Sequence, residues 1–141
     1  MIDLIMDGIS TKLFDVFGDK CEYYGDTDVV QGLKEPCFFI AGLNPSQTQR
    51  LGKRCQRRHP FNIQYFPEKA GNNMELQMVA SECFDALEYI TLPNGDMLRG
   101  TQMSYEIVDG VLHFRVNYDV FLNKPTKQDS MEEISVDANT I

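Results

Sequence analysis

Residues 104–122, SYEIVDGVLHFRVNYDVFL, decide the fold because they specify a β-hairpin together with its register. Asp109–Gly110 separates two alternating runs, which is the usual mark of a two-residue type I′ turn. Such a turn pairs apolar residues with apolar ones and polar with polar: Ile107 with Leu112, Tyr105 with Phe114, Met103 with Val116, Glu106 with His113, and Ser104 with Arg115. A one-residue slip would destroy this agreement. The second strand continues to Leu122, so we expect its partner to begin near Met97.

Three shorter strands are predicted before this hairpin. Residues 37–43, CFFIAGL, lie between Pro36 and Pro45 and are typical of a central strand buried on both faces. Residues 61–66, FNIQYF, alternate between apolar and polar side chains, so we expect one face of this strand to be exposed to solvent. Residues 21–24 are expected to form a short strand, followed by a turn at residues 25–28.

Two helices are predicted from apolar residues that recur at helical spacing. The first covers residues 2–17, and Gly18 is expected to end it. The second covers residues 73–90, and a Pro-Asn-Gly-Asp turn follows at residues 93–96. The apolar faces of both helices can be buried in an α+β fold, in which an antiparallel β-sheet has two α-helices packed on one face.

The chain of 141 residues has the length of one ordinary domain. We predict a single domain over residues 1–124 and a polar C-terminal tail over residues 125–141. Within this tail, Ile134, Val136 and Ala138 alternate with polar residues. A short strand therefore remains an alternative to a frayed terminus there.

The charge is distributed unevenly along the chain. The net charge is −8, yet residues 44–60 contain five bases and no acid: Arg50, Lys53, Arg54, Arg57 and Arg58. We call residues 44–60 the basic segment. Long loops in compact domains are usually functional or mobile, and we predict a long β-hairpin arm here with its tip near residues 51–53. A basic segment on an acidic body would let two copies attract each other head to tail. A solvated loop in which the bases cluster by chance remains an alternative.

No known catalytic motif is found in the sequence. Phosphate-binding loops and the G-x-S-x-G nucleophile motif are absent. His113 opposite Glu106 could perform acid–base chemistry, but a surface cross-strand pair is the simpler interpretation. Cys55 lies between basic residues, which would make its thiol reactive, but an incidental position in the basic segment is the simpler interpretation. The acids Glu22, Asp26 and Asp28 could bind a divalent metal, but their spacing fits no known metal-binding loop, so we interpret them as turn acids. We predict no enzyme activity, cofactor or metal.

The four cysteines show neither a C-x-x-C pair nor zinc-ligand spacing, so we expect reduced thiols. No apolar run approaches the length of a membrane helix, and the N-terminus does not resemble a signal peptide. We therefore expect no membrane contact and a cytoplasmic location. The basic segment could contact nucleic acid phosphates, but residues 46–58 contain no aromatic residue for base stacking.

Three stretches carry a family resemblance: residues 7–19, DGISTKLFDVFGD; residues 29–67, VVQGLKEPCFFIAGLNPSQTQRLGKRCQRRHPFNIQYFP; and residues 104–125, SYEIVDGVLHFRVNYDVFLNKP. They resemble the tail terminator proteins of long-tailed phages and prophages of low-GC Gram-positive bacteria. The likeness extends from about Ile2 to Pro125.

The resemblance implies a structural protein that forms a homohexameric ring on the tail tube. Such a ring stops tube growth and offers a surface to the head-side connector, first in the host bacterial cytoplasm and then in the virion tail. On this hypothesis the five bases of the basic segment contact a neighbouring subunit, the tail tube protein or DNA in the channel. A neck or head–tail completion protein, a nucleic-acid-binding module and a small hydrolase remain alternatives.

Overall fold

The computed structural model describes residues 1–25, 34–69, 71 and 73–123. In chain order the elements are α1 (Ile2–Phe17), β1 (Glu22–Gly25), β2 (Cys37–Gly42), β3 (Ser46–Gln49), β4 (Arg54–Phe66), α2 (Asn73–Ala86), β5 (Tyr89–Thr91), β6 (Met97–Val108) and β7 (Val111–Asn123). A short 3-10 helix, Gly18–Lys20, follows α1. The strand order is β1-β2-β4-β7-β6-β5, with β3 paired to β4. The predicted α+β fold is confirmed.

The β6–β7 hairpin has the predicted turn and, near the turn, the predicted register. Ile107 pairs with Leu112 and Tyr105 with Phe114. Asp109 and Gly110 have φ angles of 53° and 76°, and a type I′ turn requires positive values at both positions. Strand β6 begins at Met97, as predicted.

The predicted pairing of Met103 with Val116 falls at an irregularity in β6, where neither residue has a regular partner across the β6–β7 pair. The register shifts between Thr101 and Ser104, and Gln102 has a φ of 52°. Extra residues on one strand shift the alternation beyond them. Gly100 therefore pairs with Tyr118.

The sheet is mixed, whereas we predicted an antiparallel one. Strand β1 pairs with β2 in parallel, with Glu22 opposite Cys37 and Gly25 opposite Ile40. Parallel neighbours need a crossover of about a dozen residues, and residues 26–36 provide a connection of this length. The turn predicted at residues 25–28 and the acids Asp26 and Asp28 lie mostly or wholly outside the described residues.

Both helices contribute to one core on the same face of the sheet. The helices contribute Ile5, Ile9, Leu13, Leu76, Val79, Ala80 and Cys83, and the central strands contribute Phe38, Ile40, Phe61, Ile63, Tyr65, Leu112, Phe114, Val116 and Tyr118. We call the opposite side of the sheet the outer face. It carries the half-buried Asn62 and Gln64, as the alternation in residues 61–66 predicts.

Helix α2 is shorter than predicted, since it ends at Ala86 and not at residue 90. Ile90 lies in β5 and pairs with Leu98 of β6. A buried apolar residue satisfies a helical stripe and a short strand equally well. The Gly100 N–H then donates to the Glu88 carbonyl at 2.7 Å, which joins the end of the helix to the sheet.

Strand β4 begins at Arg54, seven residues before the predicted start at Phe61. Pro60 therefore lies within β4, opposite Asn117, and its carbonyl accepts the Leu43 N–H at 2.9 Å. A proline is tolerated where its missing N–H leaves no ladder bond unmade. Strand β3 pairs with residues 55–58 of β4, and β7 pairs with the other side of β4 out to Asn123. That the basic segment projects as an arm stays a prediction.

Candidate functional site at the basic segment

The basic segment folds around a tight turn between β3 and β4. Arg50 donates its backbone N–H to the Arg54 carbonyl at 2.7 Å, and Gly52 has a φ of 65°. The Gln49 side chain donates to the Gly52 carbonyl at 3.3 Å. Leu51 at the turn is 94% exposed, so the turn presents an apolar side chain to solvent between basic ones.

The strand alternation of β4 divides the bases between the two faces of the sheet. Arg57 shares its face with Phe61 and the helices, whereas Arg54 and Arg58 lie on the outer face. Arg50 joins the outer face because its Nε donates to the Gln56 side-chain oxygen at 2.9 Å. The outer face of the hairpin thus carries three arginines, a grouping that the sequence pattern did not specify.

Each arginine is oriented by a neighbouring side chain. The Arg57 Nε donates to Gln47 Oε1 at 2.8 Å, across the β3–β4 pair. The Arg58 Nε lies 3.8 Å from Asp119 Oδ1. These contacts involve exposed or half-exposed groups, so each contributes at most about 1 kcal/mol. They hold the guanidinium groups in place without neutralising the segment.

Phe121 is the residue at this site that the sequence analysis missed. It follows the core residue Val120 on β7, so it points to the outer face, and it is 52% exposed. The Arg54 guanidinium carbon lies 5.0 Å from the centre of its ring, within the range of a cation–π contact. Alternation on β7 could have found it, because every second residue there faces away from the core.

Together these groups line a shallow depression of about 760 Å³ on the outer face, formed by Gln49, Arg50, Leu51, Arg54, Gln56 and Phe121. Its chemistry is cationic with one aromatic wall. Such a surface suits a carboxylate-bearing protein segment or a phosphate backbone. The absence of aromatic residues in positions 46–58 therefore excludes less than we expected, since β7 supplies the ring.

Two further residues of the basic segment are buried on the helix side. Cys55 is only 5% exposed, and burial argues against a reactive thiol at this position. His59 is 4% exposed, and neither ring nitrogen has a hydrogen-bond partner within the described part of the chain. Burial lowers the pKa of His59, and the N-terminal amino group and Arg57 lower it further, against an opposing effect of Asp119.

The predicted pair of His113 and Glu106 is present as a cross-strand pair on the outer face. Glu106 also lies 3.5 Å from an Arg115 guanidinium nitrogen, in an exposed ion pair. This arrangement is an ordinary surface cluster of a β-sheet.

The remaining titratable side chains and the helices show neither a metal site nor a membrane span within the described part of the chain. Over residues 1–25, 34–69, 71 and 73–123, no three His, Cys, Asp or Glu side chains are grouped to hold a metal ion. The four cysteines are buried free thiols, as predicted, and burial raises the pKa of Cys37 to about 11. Neither described helix is long and apolar enough to cross a membrane.

Comparison with known proteins identifies the family. A family model described as phage tail terminator protein matches residues 4–130. No curated protein matches the chain. Because the match covers most of the sequence, the chain belongs to the phage tail terminator family and is a structural component of a phage tail.

Proposed function

We propose that the protein caps the phage tail tube as a ring, stops its elongation and provides the surface that joins the head. The observation that carries this proposal is the basic segment, five bases without an acid on a chain of net charge −8. Opposite charges on two ends of a subunit fix the orientation of its neighbours. A head-to-tail contact that closes on itself generates a ring.

The partners in this proposal are further copies of the chain, six in one ring, the tail tube protein and the head-side connector. Arg50, Lys53, Arg54, Arg57 and Arg58 contact the neighbouring subunit or the tube. The ring assembles in the host cytoplasm and remains in the virion tail. No catalytic step or cofactor is needed for this role.

Tube length tests the proposal. Tails are imaged by electron microscopy from cells in which the phage gene has been deleted. A terminator predicts tubes longer than normal, because nothing stops the addition of tube subunits. A neck or completion protein of related fold predicts tails of normal length without heads, which would replace our assignment.

Contact with DNA in the channel is a second role that Phe121 favours, since its ring lies among Arg50 and Arg54 on the outer face. Single-stranded and backbone binding sites combine positive charge with aromatic rings. This role predicts DNA affinity that falls steeply as salt rises. Absence of binding at low ionic strength would remove it and leave the capping role intact.

A further inference from the structure

A second surface depression, with exposed apolar side chains, lies at the other end of the molecule between the end of α1 and helix α2. It is a groove of about 850 Å³. Three apolar side chains on its wall are well exposed: Met74 at 75%, Met78 at 60% and Val16 at 43%. Exposed methionines are typical of surfaces that adapt to an apolar partner. We call this surface the helix groove.

The helix groove is acidic. Glu68, Glu75 and Glu82 line it together with one base, Lys20. The Glu75 carboxylate accepts a hydrogen bond from the Tyr65 hydroxyl at the floor of the groove. A suitable occupant therefore combines an apolar anchor with positive charges at its margin.

The turn of the basic segment has this chemistry. Leu51 is 94% exposed, and its neighbours in sequence include the bases Arg50, Lys53 and Arg54. An apolar side chain that enters a pocket while charged groups meet at the rim is the usual arrangement of a specific interface. In such an interface the three bases of the turn would meet three acids and one base of the helix groove.

The two surfaces lie at opposite ends of the same strand. Arg54 begins β4 beside the turn, and Tyr65, the last residue but one of that strand, lines the helix groove. The 13 residues of β4 span roughly 40 Å at about 3.3 Å per residue. One copy therefore cannot place its turn in its own groove, but it can place it in the groove of the next copy.

Residues 124–141, which the structure does not describe, are a competing occupant from the same chain. This stretch contains two lysines and four acids. Its negative balance is unfavourable in an acidic groove. Charge complementarity therefore favours the basic turn of a second copy over the chain's own C-terminal residues.

We propose that Leu51 of one copy docks in the helix groove of the next copy, with Arg50, Lys53 and Arg54 opposite Glu68, Glu75 and Glu82. This inference rests on the proposed ring, for which it names the contact. The interface is head to tail, so repeated docking builds either a closed ring or an open filament. Ring closure then depends on the angle that docking imposes.

Cross-linking between copies tests the contact. Leu51→Cys protein is mixed with Met78→Cys protein and treated with a short bis-maleimide linker. The matched control uses Met97→Cys protein in place of Met78→Cys protein. Met97 is 65% exposed and is the first residue of β6, away from the helix groove. The unmodified chain measures any reaction of its four buried cysteines. Both mixtures are examined as purified protein and in tail particles from cells that produce both variants.

We expect at least ten-fold more cross-linked dimer from the Leu51→Cys and Met78→Cys mixture than from the control. Equal yields in rings or capped tubes would overturn the docking contact while the capping role survives. Slow maleimide labelling of Met78→Cys in isolated monomers would show that the chain covers its own groove, which also overturns the contact. Normal tube length without the protein would instead reject the capping role.

Discussion

Substitution of Gly100 by alanine tests how β6 is joined to the end of helix α2. A Cβ atom at this position would lie 2.6 Å from the Leu87 carbonyl oxygen and 2.9 Å from Val116 Cγ2. The Leu87 oxygen is held in place because it accepts the Tyr118 hydroxyl at 2.7 Å. The added methyl group must therefore displace backbone, not merely the flexible end of a side chain.

Overpacking of this kind costs about 1–3 kcal/mol. Reduced entropy of the unfolded chain offsets about 0.4–1 kcal/mol of this cost. Loss of the Tyr118 hydrogen bond adds about 0.5–1.5 kcal/mol. We therefore expect Gly100→Ala to lower the free energy of unfolding by about 2 kcal/mol, which shifts a urea midpoint by about 1 M when m is near 2 kcal/mol/M.

Urea unfolding followed by circular dichroism measures this effect. Gly42→Ala is the matched control, because a Cβ there meets its nearest neighbour, Phe61, at an ordinary 3.5 Å. The control is expected to remain within about 0.5 kcal/mol of the parent protein. A Gly100→Ala variant as stable as Gly42→Ala would refute the close approach of β6 and α2.

Two further predictions concern the basic segment. The free energy of unfolding should fall as the pH drops from about 7 to 5. The unfolded chain binds a proton on His59 near the ordinary pKa of 6.5, whereas burial lowers that pKa in the folded state. His59→Gln should reduce the dependence of the unfolding free energy on pH, and an unchanged dependence would contradict the effect. Arg54→Glu combined with Arg57→Glu should abolish ring formation, measured by light scattering. The control, Arg99→Glu combined with Arg115→Glu, makes the same charge change elsewhere and should leave ring formation intact. Equal loss of rings in both variants would show a general charge effect.

The pattern of apolar and polar residues along the chain was sufficient to predict the helices and strands whose limits depend on a single turn or a single apolar face. The Asp109–Gly110 turn specified the hairpin register because both strands alternate and the turn needs positive φ at both positions. Helix α1 was predicted with its observed bounds because its apolar stripe stops where Gly18 follows. In both cases residues that are neighbours in sequence are sufficient to predict the structure.

Elements that depend on distant strands were not predictable in this way. Strand β1 pairs in parallel with β2, and the register of β6 shifts just after Gly100, where a Cβ would meet the Leu87 carbonyl oxygen. Strand β4 runs through Pro60 because β7 continues beside it. Proline normally ends a central strand, so the sequence around Pro60 predicted that the strand begins only after it.

For the candidate site, sequence identified the bases but not their grouping. The count of five bases without an acid is visible in residues 44–60. Their division between two faces requires knowing that β4 begins at Arg54, and the contact of Arg54 with Phe121 requires the β4–β7 pairing. The helix groove likewise joins residues from four separate parts of the chain, so no local pattern reveals it.

The most direct test of the central claim is the tube-length distribution in cells that lack the phage gene and carry a replacement copy. The account predicts overlong tubes without a replacement, normal tubes with the parent protein, and overlong tubes with the Arg54→Glu and Arg57→Glu variant. The Arg99→Glu and Arg115→Glu control should restore normal length. Tubes of normal length in the absence of any replacement copy would contradict the account.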